Sequence, residues 1–401
     1  MSKKMPKPLN KSNLALSRRG FLKIGTGSLF ALTQVGCTVS QVRQGINTGH
    51  QLYKGNVSQA VATQVPGVGI PEVDQLVKKH LTLALEELLQ TWGEKRVATQ
   101  KEYVKYTDDY QSRALVNFTT GQIQVETLIQ QNSKTALKKA IVSTLLTPSD
   151  PSQVDLFTAE PVPAGQTPFL MDLVRDHENQ PIRYAWRAER FADHLIRTGY
   201  KTRKDSADGK DRLRHYVTFA MLKDYQGKQK HRYQADVLRQ SRRFHVEPAL
   251  VYAIIETESA FNPFAVSSAP AYGLMQIVPT TAGRDVYQLL HKRAGTPSKK
   301  TLFNASNNIE YGVAYLSILS TRYLNGVRDP KSREYCVIAG YNTGAGNVLK
   351  AFSSDRAQAL RKINAMSPSS VYQHLARHLR YAEARGYIVK VTQNKRKYLT
   401  G

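Results

Sequence analysis

The sequence predicts an α+β protein in which an N-terminal domain of mixed helix and antiparallel sheet precedes a mainly helical domain. Three observations predict it. The 401 residues exceed an ordinary single domain and leave room for two cores. Between residues 71 and 230, stretches of helical period alternate with stretches of period two. From residue 231 to 401 helical patterns dominate.

The chain opens with export features. Arg18 and Arg19 precede an apolar, Gly- and Ala-rich stretch ending at Cys37, which is too short to be a comfortable membrane span. Ser17-Arg18-Arg19-Gly20-Phe21-Leu22-Lys23 resembles a twin-arginine signal, and Val35-Gly36-Cys37 resembles the lipobox of bacterial lipoproteins, with Gln34 departing from the usual aliphatic residue. Residues 1–36 are therefore read as a signal, Cys37 as an acylated N-terminus and residues 37–70 as a polar tether. Thr38 rather than Asp after the Cys implies, by the same resemblance, an outer-membrane lipoprotein facing the periplasm. Cleavage to a soluble periplasmic chain is the alternative.

The N-terminal domain, residues 71–230, follows from pattern. Val73, Leu76, Val77, His80, Leu81 and Ala84 fall near helical spacing, in a helix that Gly93 ends. Ala114, Val116 and Phe118, then Ile123 and Val125, alternate around Thr119-Thr120-Gly121, the pattern of a β-hairpin. The stretches "KTALKKAIVSTLL" and "WRAERFADHLI" read as helices. "RLRHYVTFAM" sets Leu213, His215, Val217, Phe219 and Met221 on one face of a half-buried strand. On that face His215 is expected to be a satisfied core or ligand-lining residue rather than a catalyst. The hydrophilic "YQGKQKHRYQ" marks the domain boundary.

Charge and cysteine content narrow the chemistry. Fifty-seven Lys and Arg against 31 Asp and Glu give a formal net charge of +26, which favours a polyanionic partner. The export leader takes the chain away from nucleic acid, and no nucleic-acid motif is present. That leaves anionic glycan, peptide carboxylates or lipid head groups. No Cys/His cluster with zinc spacing and no Gly-rich phosphate loop occurs, so neither metal nor cofactor is implied. Cys336, in "YCVIAGYN", reads as a small buried hydrophobe.

The candidate catalytic group lies in "EPALVYAIIETESAF". Pro248 suits the first turn of a helix and Asn262-Pro263 stops it, so Glu258 falls near the C-terminus. Val251 and Ile255, seven and three residues earlier, share its face, which must then be buried. Apolar surroundings and the negative end of the helix dipole both favour the neutral carboxyl. A proton retained near neutral pH is what a general acid needs. Glu256 points to another face and reads as solvated. After Glu258 no Asp or Glu occurs until Asp285, so no second carboxylate is offered locally; Glu310 or Glu334 remains open as a distant one.

Glu258-Ser259, Gly273-Leu274-Met275-Gln276 and Gly340-Tyr341-Asn342-Thr343-Gly344 together resemble the signature of the family 1 lytic transglycosylases, which have a lysozyme-like fold. "AEARGYIVKV" adds Glu383 and Tyr387, the latter similar to the family's active-site tyrosine. "YVKYTDDYQSRALVNF" and "QPIRYAWRAERFADHLI" resemble the N-terminal region of the membrane-bound C-type members. The departures are the twin-arginine leader, the imperfect lipobox, Gly340 in place of a frequent Ala, and Pro270 in the loop before Gly273.

The resemblance implies cleavage of the bond between N-acetylmuramic acid and N-acetylglucosamine in peptidoglycan, leaving 1,6-anhydromuramyl ends, with Glu258 as acid and base. It also implies supporting roles: Ser259 and Ser268 near the acetamido group, Gly273, Met275 and Gln276 along the glycan groove, Tyr341 and Asn342 shaping the cleft, and Tyr387 positioning Glu258 or the sugar. Two other readings stay open on the residues alone, a hydrolase in which water attacks C1 and a non-catalytic wall-binding lipoprotein. Partners among wall-synthesis or division proteins are undetermined.

Overall fold

The computed structural model describes residues 86–399, apart from 157–158, 165–166, 207 and 268–270. The signal, Cys37, the tether, most of the helix expected from residue 71, and Ser268 and Pro270 lie outside the described residues.

The described chain opens with the end of a helix, α1 (residues 86–92), which stops at Gly93 with φ +72°. Three strands follow as a meander, β1 (Glu102–Thr107), β2 (Ser112–Asn117) and β3 (Gln122–Thr127). Helices α2 (Ser133–Leu145) and α3 (Ala185–Gly199) intervene before β4 (Lys201–Asp205) and β5 (Arg212–Ala220) complete an antiparallel sheet of order β1-β2-β3-β5-β4. The expected hairpin is present, with Val116 opposite Ile123 and Ala114 opposite Val125. Asn117 Oδ1 accepts from the N–H groups of Thr119 and Thr120 at 2.9 Å each, closing the turn.

Period-two alternation sends the side chains of this sheet to two different cores. Tyr103, Val116, Ile123, Val125 and Val217 join the core that includes Leu137 and Ile141 of α2 and Ala188, Phe191 and Ala192 of α3. Val104, Tyr106 and Leu115 take the other side, under Leu88 and Trp92 of α1.

That second cover corrects the half-buried reading of β5. Arg214, which the alternation would send to solvent, is 1% exposed. Its guanidinium and that of Arg113 lie 5.3 and 4.1 Å from the centre of the Trp92 ring. Arg113 pairs with Glu126 and Glu94, and Arg214 with Glu94 and Asp205, so the buried cations are compensated by carboxylates. His215 is satisfied as expected, between Tyr200 Oη at 2.5 Å and Gln130 Oε1 at 3.0 Å.

From residue 225 onward the regular structure is helical. The elements are α4 (Tyr225–Arg232), α5 (Gln234–Phe244), α6 (Pro248–Ser259), α7 (Ala282–His291), α8 (Lys299–Phe303) and α9 (Ala305–Ile318). A π-helical turn, Leu319–Tyr323, extends α9. Then come α10 (Pro330–Thr343), α11 (Ala345–Lys350), α12 (Arg356–Asn364), α13 (Pro368–His378) and α14 (Ala382–Leu399). Pro248 opens α6 as expected, but residues 249–255 of α6 are buried on all sides, so the helix has no apolar stripe to distinguish.

The hydrophilic stretch expected at the boundary is α4 itself. Gln229 is 1% exposed there, and the Tyr225 hydroxyl donates to Thr119 O at 2.7 Å. Contact between sheet and helices continues beyond it, because Ala260 and Phe264, just past α6, belong to the sheet's core. Phe264 meets Tyr103 at 4.9 Å and Phe169 at 5.1 Å between ring centres. Beside it the buried Asn262 donates from Nδ2 to Gln100 O at 3.1 Å and Thr99 O at 3.4 Å. Phe264 is fully buried, so Phe264→Ala should cost about 3–5 kcal/mol in stability, read by chemical denaturation. A loss below about 1 kcal/mol would mean that the contact between sheet and helices is incidental.

Candidate active site

Glu258 is the penultimate residue of α6. The helix ends one turn before Pro263, because Ala260 and Phe261 turn into the left-handed region with φ +50° and +63°. The Ala260 N–H donates to Glu256 O at 3.0 Å, which closes the helix. Glu258 keeps partial exposure, unlike Ile255 and Ser259 on either side of it, which have none.

The carboxyl is held from α14. Tyr387 Oη donates to Glu258 Oε1 at 2.7 Å. Burial pushes the Glu258 carboxyl up to about 7; the Tyr387 hydrogen bond and the Lys101 ammonium pull it down, and Glu383 pushes it further up. The Tyr387 phenol is itself raised well above its ordinary value by burial and by Glu258, so it stays a donor.

Glu383, the residue noted with Tyr387 in the sequence and one turn before it on α14, is a second carboxylate whose charge acts on Glu258. Asn342 of α10 donates to it from Nδ2 at 3.2 Å. Neither distant candidate joins Glu258: Glu310 pairs with Arg243, and Glu334 with Lys331 and Lys395. Glu256 is not solvated as expected. Its side chain is 13% exposed and accepts from Lys397 Nζ at 2.7 Å and the Tyr398 hydroxyl at 2.9 Å, because α14 packs along α6.

The Gly-Leu-Met-Gln segment is fastened to this helix pair by its backbone. Ser259 has no exposed surface, and its hydroxyl donates to Leu274 O at 2.8 Å. It therefore fastens α6 to the segment, and its geometry does not support the expected contact with an acetamido group. Gly273 has φ +75°, and a Cβ there would meet Asn308 Nδ2 and Leu302 O at 2.5 Å each. Met275 is fully buried; its N–H donates to Asn308 Oδ1 at 2.7 Å, and its carbonyl accepts from the Tyr341 hydroxyl at 2.8 Å. Met275 and Tyr341 thus act through packing and backbone contacts. Gln276 donates from Nε2 to Gly273 O at 2.8 Å and Ala265 O at 3.1 Å, while its buried Oε1 has no partner among the described residues.

Asn308 is the residue that sequence reasoning missed. Fully buried on α9, it also donates to Tyr272 O and Leu302 O at 2.7 Å each, so one side chain organises the turn around Gly273. The available signal was a polar amide on a helix where most other residues are buried. Among the described residues no group of three or more His, Cys, Asp or Glu could hold a metal ion. Cys336 is buried, and burial pushes its thiol up to about 12, consistent with a packing residue.

Comparison with known proteins sets this site in a family. Residues 72–232 match the model for the membrane-bound lytic murein transglycosylase C N-terminal domain, and residues 237–364 match the transglycosylase SLT domain. A membrane-bound lytic murein transglycosylase C from Serratia proteamaculans is 43% identical over 310 residues, covering 77% of this chain and 85% of the relative. The protein of that name from Salmonella typhi is 44% identical over the same length and the same shares. The chain belongs to this family. Among solved structures, lytic transglycosylase Slt from Pseudomonas aeruginosa is similar at 25% identity and a TM-score of 0.30, over 41% of this chain and 24% of that one. The family membership makes this chain a peptidoglycan lytic transglycosylase.

Two consequences of the site can be measured. A raised carboxyl pKa costs stability above the unfolded value of 4.5, and the cost is complete above about 7. Glu258→Gln should therefore melt higher than the parent protein at pH 8, and the gap should close below about pH 4.5. A gap independent of pH would exclude the raised pKa. Gly273→Ala combines a left-handed backbone with a clash against backbone, and should lower stability by about 2 kcal/mol or more in denaturant titration.

Proposed function

We propose that this lytic transglycosylase uses Glu258 as its single acid and base. The observation that carries the reading is the Glu258 carboxyl, raised to about 7 by burial and bonded through Oε1 to the Tyr387 hydroxyl. Near neutral pH much of it is protonated. With Oε1 accepting from Tyr387, the proton belongs on Oε2, which is free to face a glycosidic oxygen.

Proton transfer from Glu258 to the oxygen between N-acetylmuramic acid and N-acetylglucosamine releases the glucosamine-side hydroxyl as leaving group. The muramyl N-acetyl oxygen stabilises the positive charge left at C1. Glu258, now a carboxylate, is held by the Tyr387 O–H and by the field of Lys101. It then takes the proton of the muramyl 6-hydroxyl as O6 attacks C1. The product is a 1,6-anhydromuramyl end, and no water is consumed.

Gln276, Asn342 and Tyr387 are the proposed substrate-side residues among the described ones, and Ser268 joins them by its place in the sequence. Ser259, Gly273, Met275 and Tyr341 support them from behind. The relatives' names speak of a membrane-bound enzyme, and among the described residues no helix is long and apolar enough to cross a membrane. We place the attachment at an acylated Cys37, with residues 37–70 as the tether that lets the enzyme reach the wall from the outer membrane.

Mass spectrometry of products released from intact sacculi tests the chemistry. The parent protein should give anhydromuropeptides, and Glu258→Gln should lower the rate by about a thousandfold, the middle of the range for loss of a general acid–base group. Reducing-end muropeptides would instead mean hydrolysis, and no product from either protein would mean a wall-binding module.

A further inference from the structure

Tyr341, bonded to Met275 O of the Gly-Leu-Met-Gln segment, begins an aromatic wall that continues along α9 to a tyrosine the mechanism does not use. The Tyr315 ring of α9 stands 5.7 Å from the Tyr341 ring, and both side chains keep partial exposure. Tyr323 closes the π-helical turn that extends this helix, where the Leu324 N–H donates to Leu319 O, five residues back, at 2.9 Å. In a plain α-helix two turns take about 7.2 residues, so a residue eight positions beyond Tyr315 would be rotated about 80° past it. The π turn takes up an extra residue. Eight residues then make nearly two full turns, and Tyr323 returns to the side of the helix that carries Tyr315.

Tyr323 is fixed from two sides and still left open. Its hydroxyl donates to Asp285 Oδ2 of α7 at 2.8 Å, and its carbonyl accepts from Arg356 Nη2 of α12 at 2.9 Å. The side chain is nevertheless 39% exposed; among the described residues from 225 onward, only Leu399 at the end of α14 is another large apolar side chain so exposed. Asp285 is the carboxylate that ends the acid-free run after Glu258, and its Oδ1 has no hydrogen bond or ion pair among the described residues. Both groups act on Tyr315, whose phenol is raised above its ordinary value by burial and then by Asp285 and Tyr323. An aromatic face held rigid by its own hydroxyl, beside a free acceptor oxygen, suits a sugar: the ring covers the apolar C–H face and the carboxylate takes a hydroxyl at the edge.

We propose that Tyr323 and Asp285 form a distal sugar subsite, in which a residue of the glycan strand beyond the pair being cleaved stacks on the Tyr323 ring and donates a hydroxyl to Asp285 Oδ1. Two helical turns set Tyr323 about 11 Å along α9 from Tyr315, which is why the sugar it holds is not one of those flanking the reacting bond. The proposal rests on the transglycosylase reading and adds a substrate preference to it: long glycan strands over short fragments.

The test compares kcat/KM of the full chain on a peptidoglycan-derived octasaccharide with that on the tetrasaccharide, which stops short of Tyr323 when it spans the reacting bond. Tyr323→Ala should reduce the ratio of the two values about fivefold, mainly through KM, the scale of one lost aromatic contact. Asp285→Ala should reduce it about threefold, the scale of one lost hydrogen bond. Tyr323→Phe, which keeps the ring, should keep most of the ratio. Each ratio is internal to one variant, so partial loss of folded protein cancels. A ratio unchanged in Tyr323→Ala would overturn the subsite, and so would an equal fall in Tyr323→Phe, which would make the tyrosine only a pin between α7 and the π turn. Failure of the underlying chemistry would show separately, as reducing ends in the products of the parent protein.

Discussion

The proposed chemistry depends on keeping one carboxyl protonated at the end of a buried helix. Glu258 can do this because α6 is enclosed over residues 249–255 and because α14, more than a hundred residues later, lies along it and delivers the Tyr387 hydroxyl. Burial supplies the rise in pKa, and the tyrosine prevents the rise from going too far. A carboxyl raised without a donor would hold its proton too tightly to be a good acid toward the glycosidic oxygen. A carboxyl with more donors would not keep the proton. The position near 7 is the balance of these two opposing effects.

The same packing explains why several motif residues are buried. The Gly-Leu-Met-Gln segment has to pass close to α6 and α9, so it needs a residue without a Cβ at Gly273, a flexible apolar side chain at Met275 and a hydroxyl on α6 to hold Leu274 O. Asn308 then satisfies both sides of the turn. A motif read as a line of substrate contacts is therefore in large part a device for holding backbone still, with Gln276 and its unpartnered Oε1 as the member left with hydrogen-bonding capacity.

Much of this was legible in the sequence. Period-two stretches gave the hairpin and β5, and Pro248 gave the start of α6. The position of Glu258 on a buried helix gave its raised pKa. What failed has one physical origin: sequence patterns report an element's own faces but not what later chain packs against them. Glu256 looked solvated until α14 arrived with Lys397 and Tyr398. Arg214 looked like a solvent-facing residue until α1 covered it with Trp92. The hydrophilic stretch near residue 230 looked like a domain boundary because only Tyr225, Gln229 and Tyr233 of it are deeply buried. Asn308 carried no motif because its partners are main-chain groups, which every sequence possesses.

The pairing of sheet and helical regions around the turn after Glu258 has a consequence for how the enzyme meets its substrate. Asn262 and Phe264 lie only four and six residues from the acid, and both are spent on contacts with the N-terminal domain. That investment would be unnecessary if the domain served only as a spacer on a tether. It makes sense if the region around Lys101 must keep a fixed position relative to Glu258. Lys101 acts on Glu258 from that region, its ammonium opposing the rise of the carboxyl pKa, so the clamp sets the position of a charge that tunes the proposed acid.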